Sequence, residues 1–245
     1  MEIVTRQGPS FGVARLNLSG NESVRVESGA MMAMSSGVNL VAKAEGGVLK
    51  SLKRAALGGE SFFLTTYHAP DHGGWVDVAA RLPGDLVSIA ITAGESWVIS
   101  KGSWLASPAS VELDTKWGGF RNMFGSEGGF VVRASGQGPV ILGCYGALDK
   151  WTLAAGETVT VDTGHMVAYQ DSGQMSVRKV TGGLVQTFKS GEGLVFDFTG
   201  PGVVYTQTRN PNELLSWLGA ALGTSNAGGP SAGIGGVMGG LFGRD

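Results

Sequence analysis

Histidine and carboxylate side chains come closest together in segment 67–72, which reads Tyr-His-Ala-Pro-Asp-His. His68, Asp71 and His72 are residue types that ligate transition metals. Pro70 places them at the tip of a loop between two strand-like runs, where the backbone would not hold three ligands in a fixed geometry. Related segments elsewhere in the chain carry no histidine at the matching place. We therefore interpret this segment as a connection and expect no metal and no cofactor.

Two glutamates could act as an acid–base pair if the fold brought them into one cleft. Glu60 and Glu192 stand two residues before the first apolar residue of related strand-like runs, whereas a third related segment has Gly128 at that position and Glu127 one place earlier. A carboxylate that accepts backbone N–H bonds in a tight turn explains this placement better. We predict structural turn roles for Glu60 and Glu192, with an acid–base hydrolase as the weaker alternative.

Cys144 is the single cysteine of the chain and lies in the apolar setting Leu-Gly-Cys-Tyr. A buried structural thiol suits this setting better than a nucleophile, which needs an electropositive and partly exposed site. The chain also has no nucleophile elbow, phosphate-binding loop, dinucleotide fingerprint or zinc-ligand spacing. We predict no catalytic residues and a protein that is not an enzyme.

The elements that would position these residues are repeated. Segment 182–204 matches segment 118–140 at identical offsets, and a third version begins at residue 46 with four extra residues. A second motif appears at 18–33, 91–106 and 153–168. Three tandem copies with a period of roughly 60–75 residues, each too small to close a core alone, predict one domain.

Glycines recur inside these copies at positions 29, 102 and 164. Glycine adopts positive φ at little cost, so we expect Gly29, Gly102 and Gly164 to hold turns of similar backbone geometry. The Gly-Glu pairs at 94–95 and 156–157 indicate tight turns, and Gly20-Asn21-Glu22 is interpreted as the same turn with one extra residue. The Gly-x-Gly motifs at 136–138 and 200–202, and the loop at 67–74, are each expected to join the two strands of a hairpin.

Val159 and Val161 alternate with Thr158 and Thr160 with a period of two, as a half-buried strand requires. We predict an all-β domain of three tandem repeats with pseudo-threefold repetition. Asn210, Pro211 and Glu213 are typical of a helix start, and Gly223 of a helix end. The predicted organisation is a triplicated β domain over 1–209, a helix over 210–223 and a flexible Gly-rich tail over 224–245, which alternatively orders on a partner or a membrane surface.

Composition narrows the function classes. Glycine makes up 42 of 245 residues without a collagen period, and the formal net charge is −2, so a basic nucleic-acid-binding face is not expected. Neither a signal-peptide core nor a run of about 18 apolar residues is present. We expect a cytoplasmic protein without a transmembrane segment.

Four segments resemble a known family, the altered-inheritance-of-mitochondria protein 24 family. They are Ser28–Met34 (SGAMMAM), Gly58–Phe63 (GGESFF), Val161–Ala168 (VDTGHMVA) and Gly200–Arg209 (GPGVVYTQTR). The resemblance spans about residues 1–209. It implies a fold like that of the trp RNA-binding attenuation protein, a pseudo-threefold antiparallel β-sandwich of the double-stranded β-helix type, with no established catalytic residue or cofactor. Eukaryotic members are mitochondrial and linked to inner-membrane organisation, whereas the missing presequence and the Gly-rich C-terminus indicate a bacterial member.

The resemblance and the absence of catalytic motifs together favour a scaffold or interaction protein whose partners are other proteins or copies of itself. RNA binding does not follow from a fold, and the basic and aromatic residues that it needs do not recur in the copies. A module that binds a small ligand, a lipid or RNA is the alternative, as is peripheral membrane contact through the tail.

Overall fold

The computed structural model describes residues 1–42, 64–100, 102–114, 131–171, 175–179 and 194–223. The chain divides into two compact units, Met1–Arg209 and Asn210–Asp245. The described part of the first unit consists of antiparallel strands with one 3-10 turn, and that of the second contains one helix. The prediction of an all-β domain followed by a short helix is confirmed. Glu60, Glu192 and the tail over 224–245 lie outside the described residues.

The first unit contains nineteen described strands. They are β1 Glu2–Arg6, β2 Val13–Leu18, β3 Ser23–Glu27, β4 Met31–Met34, β5 Asn39–Ala42, β6 Leu64–His68, β7 Gly74–Ala79, β8 Leu86–Ile91, β9 Ser96–Ser100, β10 Trp104–Pro108, β11 Val111–Asp114, β12 Val131–Gly136, β13 Gly138–Gly143, β14 Leu148–Leu153, β15 Thr158–Asp162, β16 Met166–Gln170, β17 Met175–Lys179, β18 Leu194–Thr199 and β19 Gly202–Gln207.

After β1, which pairs with β2, the strands fall into three successive groups of six: β2–β7, β8–β13 and β14–β19. In every group the sixth strand pairs with the first and the third, as in β7 with β2 and β4, β13 with β8 and β10, and β19 with β14 and β16. The fifth strand pairs with the second and the fourth. Each group therefore contributes two three-stranded half-sheets.

The pairing of the third with the sixth strand shifts register at the same place in each group. The shifts lie between Met31 and Ala33, Trp104 and Ala106, and Met166 and Ala168. A β-bulge bends its strand and increases the local twist. The three groups therefore share one irregularity as well as one pairing scheme.

Sheets continue from one group into the next through a single kind of contact. The second strand of one group pairs with the third strand of the following group, β3 with β10 and β9 with β16. Two six-stranded sheets result, with the orders β5-β6-β3-β10-β13-β8 and β11-β12-β9-β16-β19-β14. A four-stranded sheet, β1-β2-β7-β4, and a three-stranded sheet, β15-β18-β17, complete the described strands.

The expectation of hairpins at the Gly-x-Gly motifs and at the 67–74 loop is wrong. The strands on either side of each turn, β12 and β13, β18 and β19, and β6 and β7, lie in different sheets. Gly136 has a φ of 99° and its missing side chain makes room for the carbonyl oxygen of Ser110. Each of these turns therefore connects the last residue of a strand in one sheet to the first residue of a strand in another sheet.

Three apolar clusters fill the spaces between facing half-sheets, and the first two also contain residues of the following group. The first contains Leu16 and Val76 of the first group together with Leu105 and Ile141 of the second. The second contains Val167, Ala168 and Tyr205 of the third group. The third includes Phe196, Phe198 and Val204. Leu105 and Ile141 are fully buried, and each such side chain stabilises the fold by roughly 1.5–3 kcal/mol.

Helix α1 spans Pro211–Ala221 in the second unit. The Asn210 side chain accepts a hydrogen bond from the Asn212 N–H at 2.9 Å, and Pro211 occupies the first turn, where its missing N–H costs nothing. Gly223 follows the helix with a φ of 69°. The capping signals in the sequence therefore predicted this helix correctly.

The three repeated glycines do not share one geometry, which corrects that expectation. Gly29 and Gly102 have φ values of 90° and 79°. Gly164 lies instead inside the 3-10 turn Thr163–His165, where the Asp162 carboxylate accepts a hydrogen bond from its N–H at 2.8 Å. The aspartate supplies a local partner for the backbone and holds the turn in a right-handed conformation.

We predict that Gly29→Ala and Gly102→Ala each lower the free energy of unfolding by about 1–2 kcal/mol, because an L side chain is strained at positive φ. A Cβ atom at either position would meet no other atom within 4 Å, so strain alone decides the effect. Gly164→Ala serves as the control and should cost less. Urea denaturation measures all three variants, and equal losses would contradict this assignment.

Candidate functional site: polar clusters and open sheet edges

Three glutamates that follow Gly or Asn close the turn between the first and second strand of each group. The side chains of Glu22, Glu95 and Glu157 accept a hydrogen bond from the backbone N–H three residues earlier, at 2.9, 3.4 and 2.8 Å. Each glutamate N–H in turn donates to the carbonyl oxygen of that same residue, at 3.0–3.1 Å. These carboxylates hold the turns. Glu95 also accepts a hydrogen bond from the Gln170 side chain at 3.3 Å, and Glu22 pairs with the N-terminal ammonium of Met1 at 2.7 Å.

The first of these turns contains no extra residue, so that interpretation of Gly20-Asn21-Glu22 is wrong. Asn21 has a φ of 62° and occupies the position of Gly94 and Gly156, which have φ values of 88° and 79°. Asparagine tolerates the left-handed region better than other residues with side chains. All three turns therefore have four residues and one geometry.

His68 and His165 contact groups on neighbouring strands. His68 Nδ1 lies 2.6 Å from Ser23 Oγ, across the β3–β6 pair. His165 Nδ1 donates to the carbonyl oxygen of Gln207 at 2.7 Å, and the Gln207 side chain donates to the carbonyl oxygen of Gly164 at 3.0 Å. The third group thus anchors its 3-10 turn to β19. Among the residues that the structure describes, no three His, Cys, Asp or Glu side chains come together as a metal site would require.

Cys144 is buried, as predicted. Its thiol donates to the carbonyl oxygen of Gly146 at 3.3 Å. Burial raises the pKa of the Cys144 thiol to about 11. The thiolate, which is the nucleophilic form, is therefore disfavoured at neutral pH.

An ion-pair cluster that the sequence did not predict centres on Asp77 in β7. Its side chain accepts bidentate hydrogen bonds from Arg15 at 2.9 and 2.9 Å and from Arg6 at 3.1 and 2.6 Å. The Arg15 guanidinium also lies 3.9 Å from the centre of the Trp75 ring. Asp77 is 1% exposed, so the carboxylate is compensated by two guanidinium groups. The signal available in the sequence was a single charge in an otherwise apolar strand, with nothing to name its partners.

Asp77 occupies a position that is apolar in the other two groups. It lies opposite Ala33 in the β4–β7 pair, as Ile141 lies opposite Ala106 and Tyr205 opposite Ala168. Ile141 and Tyr205 pack into the core of the preceding group. Among the described strands no group precedes the first one, and Asp77 makes the corresponding face of its sheet polar.

A second, partly buried polar cluster joins the second and third groups. Arg133 Nε donates to the Asp171 carboxylate at 2.9 Å, and Arg133 Nη2 donates to Ser96 Oγ at 2.9 Å. Ser96 Oγ donates to the same carboxylate at 3.3 Å. This cluster connects β12, β9 and the end of β16, and it reinforces the sheet that the two groups share.

The four-stranded and the three-stranded sheet each have an edge strand whose equivalents in the other groups lie in the interior of a six-stranded sheet. β4 stands at one end of the four-stranded sheet and β15 at one end of the three-stranded sheet. Met32 and Met34 of β4 are 54% and 37% exposed. The matching residues Leu105 in β10 and Val167 in β16 are fully buried. These two strand edges are the candidate interaction site of the described residues.

Comparisons with known proteins agree with the resemblance found in the sequence. The family model described as "Mitochondrial biogenesis AIM24" matches residues 4–209. The chain belongs to this family. An uncharacterized protein of Streptococcus pyogenes is 27% identical over 235 residues, which cover 92% of this chain and 93% of that protein.

A solved structure shows a similar fold over most of the chain. The crystal structure of protein SPYM3_0169 from Streptococcus pyogenes is 25% identical and has a TM-score of 0.73, over 90% of this chain and 99% of that chain. The AIM24 assignment and the β-sheet fold thus rest on both sequence and structure. No described helix is both long enough and apolar enough to cross a membrane.

We predict that Asp77→Asn lowers the free energy of unfolding at neutral pH by roughly 1–3 kcal/mol, since two guanidinium groups lose their charged acceptor. Asp149→Asn, in the edge strand β14, removes an exposed carboxylate and is the matched control. Chemical denaturation at pH 7 compares the three proteins. Equal stability of the two variants would contradict a stabilising role for the cluster.

The same cluster predicts a pH dependence. The hydrogen bonds from Arg15, followed by those from Arg6, lower the pKa of Asp77 from 3.8 to about 2, although burial acts in the opposite direction. A carboxylate with a lowered pKa in the folded state stabilises the fold above its unfolded pKa, and this contribution is lost as pH falls. The stability difference between the native protein and Asp77→Asn should therefore shrink between about pH 4 and pH 2. A difference that stays constant over this range would argue against it.

Proposed function

We propose that this AIM24-family protein is a non-enzymatic scaffold that binds other protein chains, including copies of itself, through its sheets. It consists of three copies of one six-stranded unit, where a unit is one of the groups β2–β7, β8–β13 and β14–β19. The single observation that carries the proposal is the continuation of both six-stranded sheets across unit boundaries by the same strand pair. A unit built in this way recognises another unit by backbone hydrogen bonds and by an apolar face. The chain repeats one mode of recognition twice within itself.

The polar groups of the described residues support binding rather than chemistry. Glu22, Glu95 and Glu157 hold backbone turns. Asp77 is neutralised by two arginines, and Cys144 is buried with a raised pKa. Each of these groups already has a structural role that its geometry explains.

We predict that the purified protein has a mass above the 25.2 kDa of one chain, and that this mass increases with concentration. Sheet continuation leaves complementary edges on the first and the last group, a third strand (β4) on one and a second strand (β15) on the other, so further copies can bind. Light scattering coupled to size exclusion, at several micromolar concentrations, measures it. A strict monomer throughout that range would remove self-association from the proposal.

The non-enzymatic part has a separate test with the two glutamates that the sequence singled out. Hydrolase substrates of several classes, assayed across pH with the native protein, are expected to show no saturable turnover. Turnover that is abolished by Glu60→Gln or Glu192→Gln would overturn this part while leaving the self-association result intact.

A further inference from the structure

Contacts between neighbouring units follow one rule with one register. Val26 of β3 lies opposite Ala106 of β10, and Ile99 of β9 lies opposite Ala168 of β16. Both alanines directly follow the bulge in their strand. The second strand of a unit therefore recognises the third strand of the next unit in a fixed alignment.

Two described strands have no partner of the kind that the internal junctions use, namely the third strand of the first unit and the second strand of the last unit. These strands are β4 and β15, and each stands at the end of its sheet among the described strands. We propose that β4 of one protein molecule pairs with β15 of a second copy, in the register that the two internal junctions use. This proposal rests on the scaffold function and names the partner and the edges. The alignment places Ala33 opposite Val161 and Met34 opposite Thr160.

Burial at the internal junctions indicates what the second copy would cover. Leu105 and Val167, which correspond to Met32, lose all their exposure where their strands join the preceding unit. Tyr169, which corresponds to Met34, is 3% exposed. The two exposed methionines are flexible apolar side chains that adapt to the surface they meet. Pairing with a second copy would bury them in the same way.

The composition of the two strands favours pairing. Strand edges in proteins that stay monomeric are protected by charged side chains, by proline or by bulges. β4 has no charged residue and no proline, and β15 has one charge, at Asp162. The bulge in β4 is no barrier, because β10 and β16 carry the same bulge and are paired on that edge.

The partner of these edges is a second molecule rather than the other edge of the same molecule. The part Met1–Arg209 is already compact, yet its described strands include no pairing between β4 and β15. The contact is head-to-tail, so each added molecule again offers one β4 and one β15 edge. Such a contact builds rings if the rotation closes and filaments if it does not.

Asp77 sets the strength of this contact. At the internal junctions Ile141 and Tyr205 extend the core of the preceding unit, whereas the matching Asp77 is engaged with Arg6 and Arg15. The junction between molecules therefore gains the backbone bonds and the methionine burial without a full apolar core. We expect it to be reversible and concentration-dependent, unlike the junctions within the chain.

Disulfide trapping tests the pairing between two molecules. Opposite residues of an antiparallel pair have Cβ atoms about 4.5–5.5 Å apart, close to the roughly 3.5–4.5 Å of a disulfide. An equimolar mixture of Met34→Cys and Thr160→Cys, oxidised under mild conditions, should give a disulfide-linked heterodimer. Each variant carries one new thiol, so the product cannot form within one chain. Cys144 does not compete, because it is buried and its pKa is about 11.

The matched control mixes Thr160→Cys with Leu40→Cys. Leu40 is also an exposed apolar residue and lies on β5, an edge strand that the rule does not use. Heterodimer in several-fold excess over this control supports the proposal. Equal yields overturn it. A protein that carries both Met34→Cys and Thr160→Cys should form dimers and longer covalent chains, and a disulfide closed within one chain as the only product would also overturn it.

A charge on the edge separates this proposal from the scaffold function. Met34→Lys places a charge on the proposed interface, and Leu40→Lys places one on the control edge. Light scattering should show a loss of mass for Met34→Lys and the native mass for Leu40→Lys. If the native protein assembles and Met34→Lys assembles equally well, the β4–β15 pairing fails and the scaffold function stands. If the native protein is a monomer at every concentration, self-association fails with it.

Discussion

The backbone pairing between the second strand of one unit and the third strand of the next is the interaction on which the structure depends. It occurs as β3–β10 and as β9–β16. Each junction converts two three-stranded half-sheets into one six-stranded sheet and satisfies backbone groups that would otherwise stand on an exposed edge. The junction also decides which side chains become core, because Ile141 and Tyr205 pack in clusters that are formed mainly with residues of the preceding unit.

This arrangement explains why one fold tolerates different residues at equivalent positions. Where a unit has a neighbour, the outward position of its sixth strand is apolar and buried. Where the neighbour is missing, at the first unit, the position is Asp77, and Arg6 and Arg15 neutralise it. Leaving an unpaired carboxylate there would cost far more than the pair itself contributes. The first unit thus has an ion-paired, polar residue at this position of β7, whereas its neighbouring strand β4 has an apolar edge.

The AIM24 assignment and the proposed function concern the same part of the chain. The family match covers residues 4–209, which is nearly all of the unit Met1–Arg209. Within this unit the carboxylates of the three strand-joining turns and of the two arginine clusters have structural partners, as do the cysteine and two of the histidines. The proposed function rests on the strand pairing between groups, because a fold by itself does not specify an activity.

Much of the local structure could be predicted from the sequence, because turns and caps depend on neighbouring residues. Gly94 and Gly156 adopt the positive φ of their turns, and Asn210 caps the helix. Alternation of apolar and polar residues identified strands. It does not show whether the strand after a Gly-x-Gly turn pairs with the strand before it or with a strand of the facing sheet, because both arrangements bury the same apolar side chains. The pairing partners of these strands were therefore mispredicted. The partners of Asp77, more than sixty residues away in sequence, and the exposure of β4 and β15 were decided only by the tertiary structure. Both depend on which strands meet across the whole chain, and backbone hydrogen bonds between distant strands leave no local pattern in the sequence.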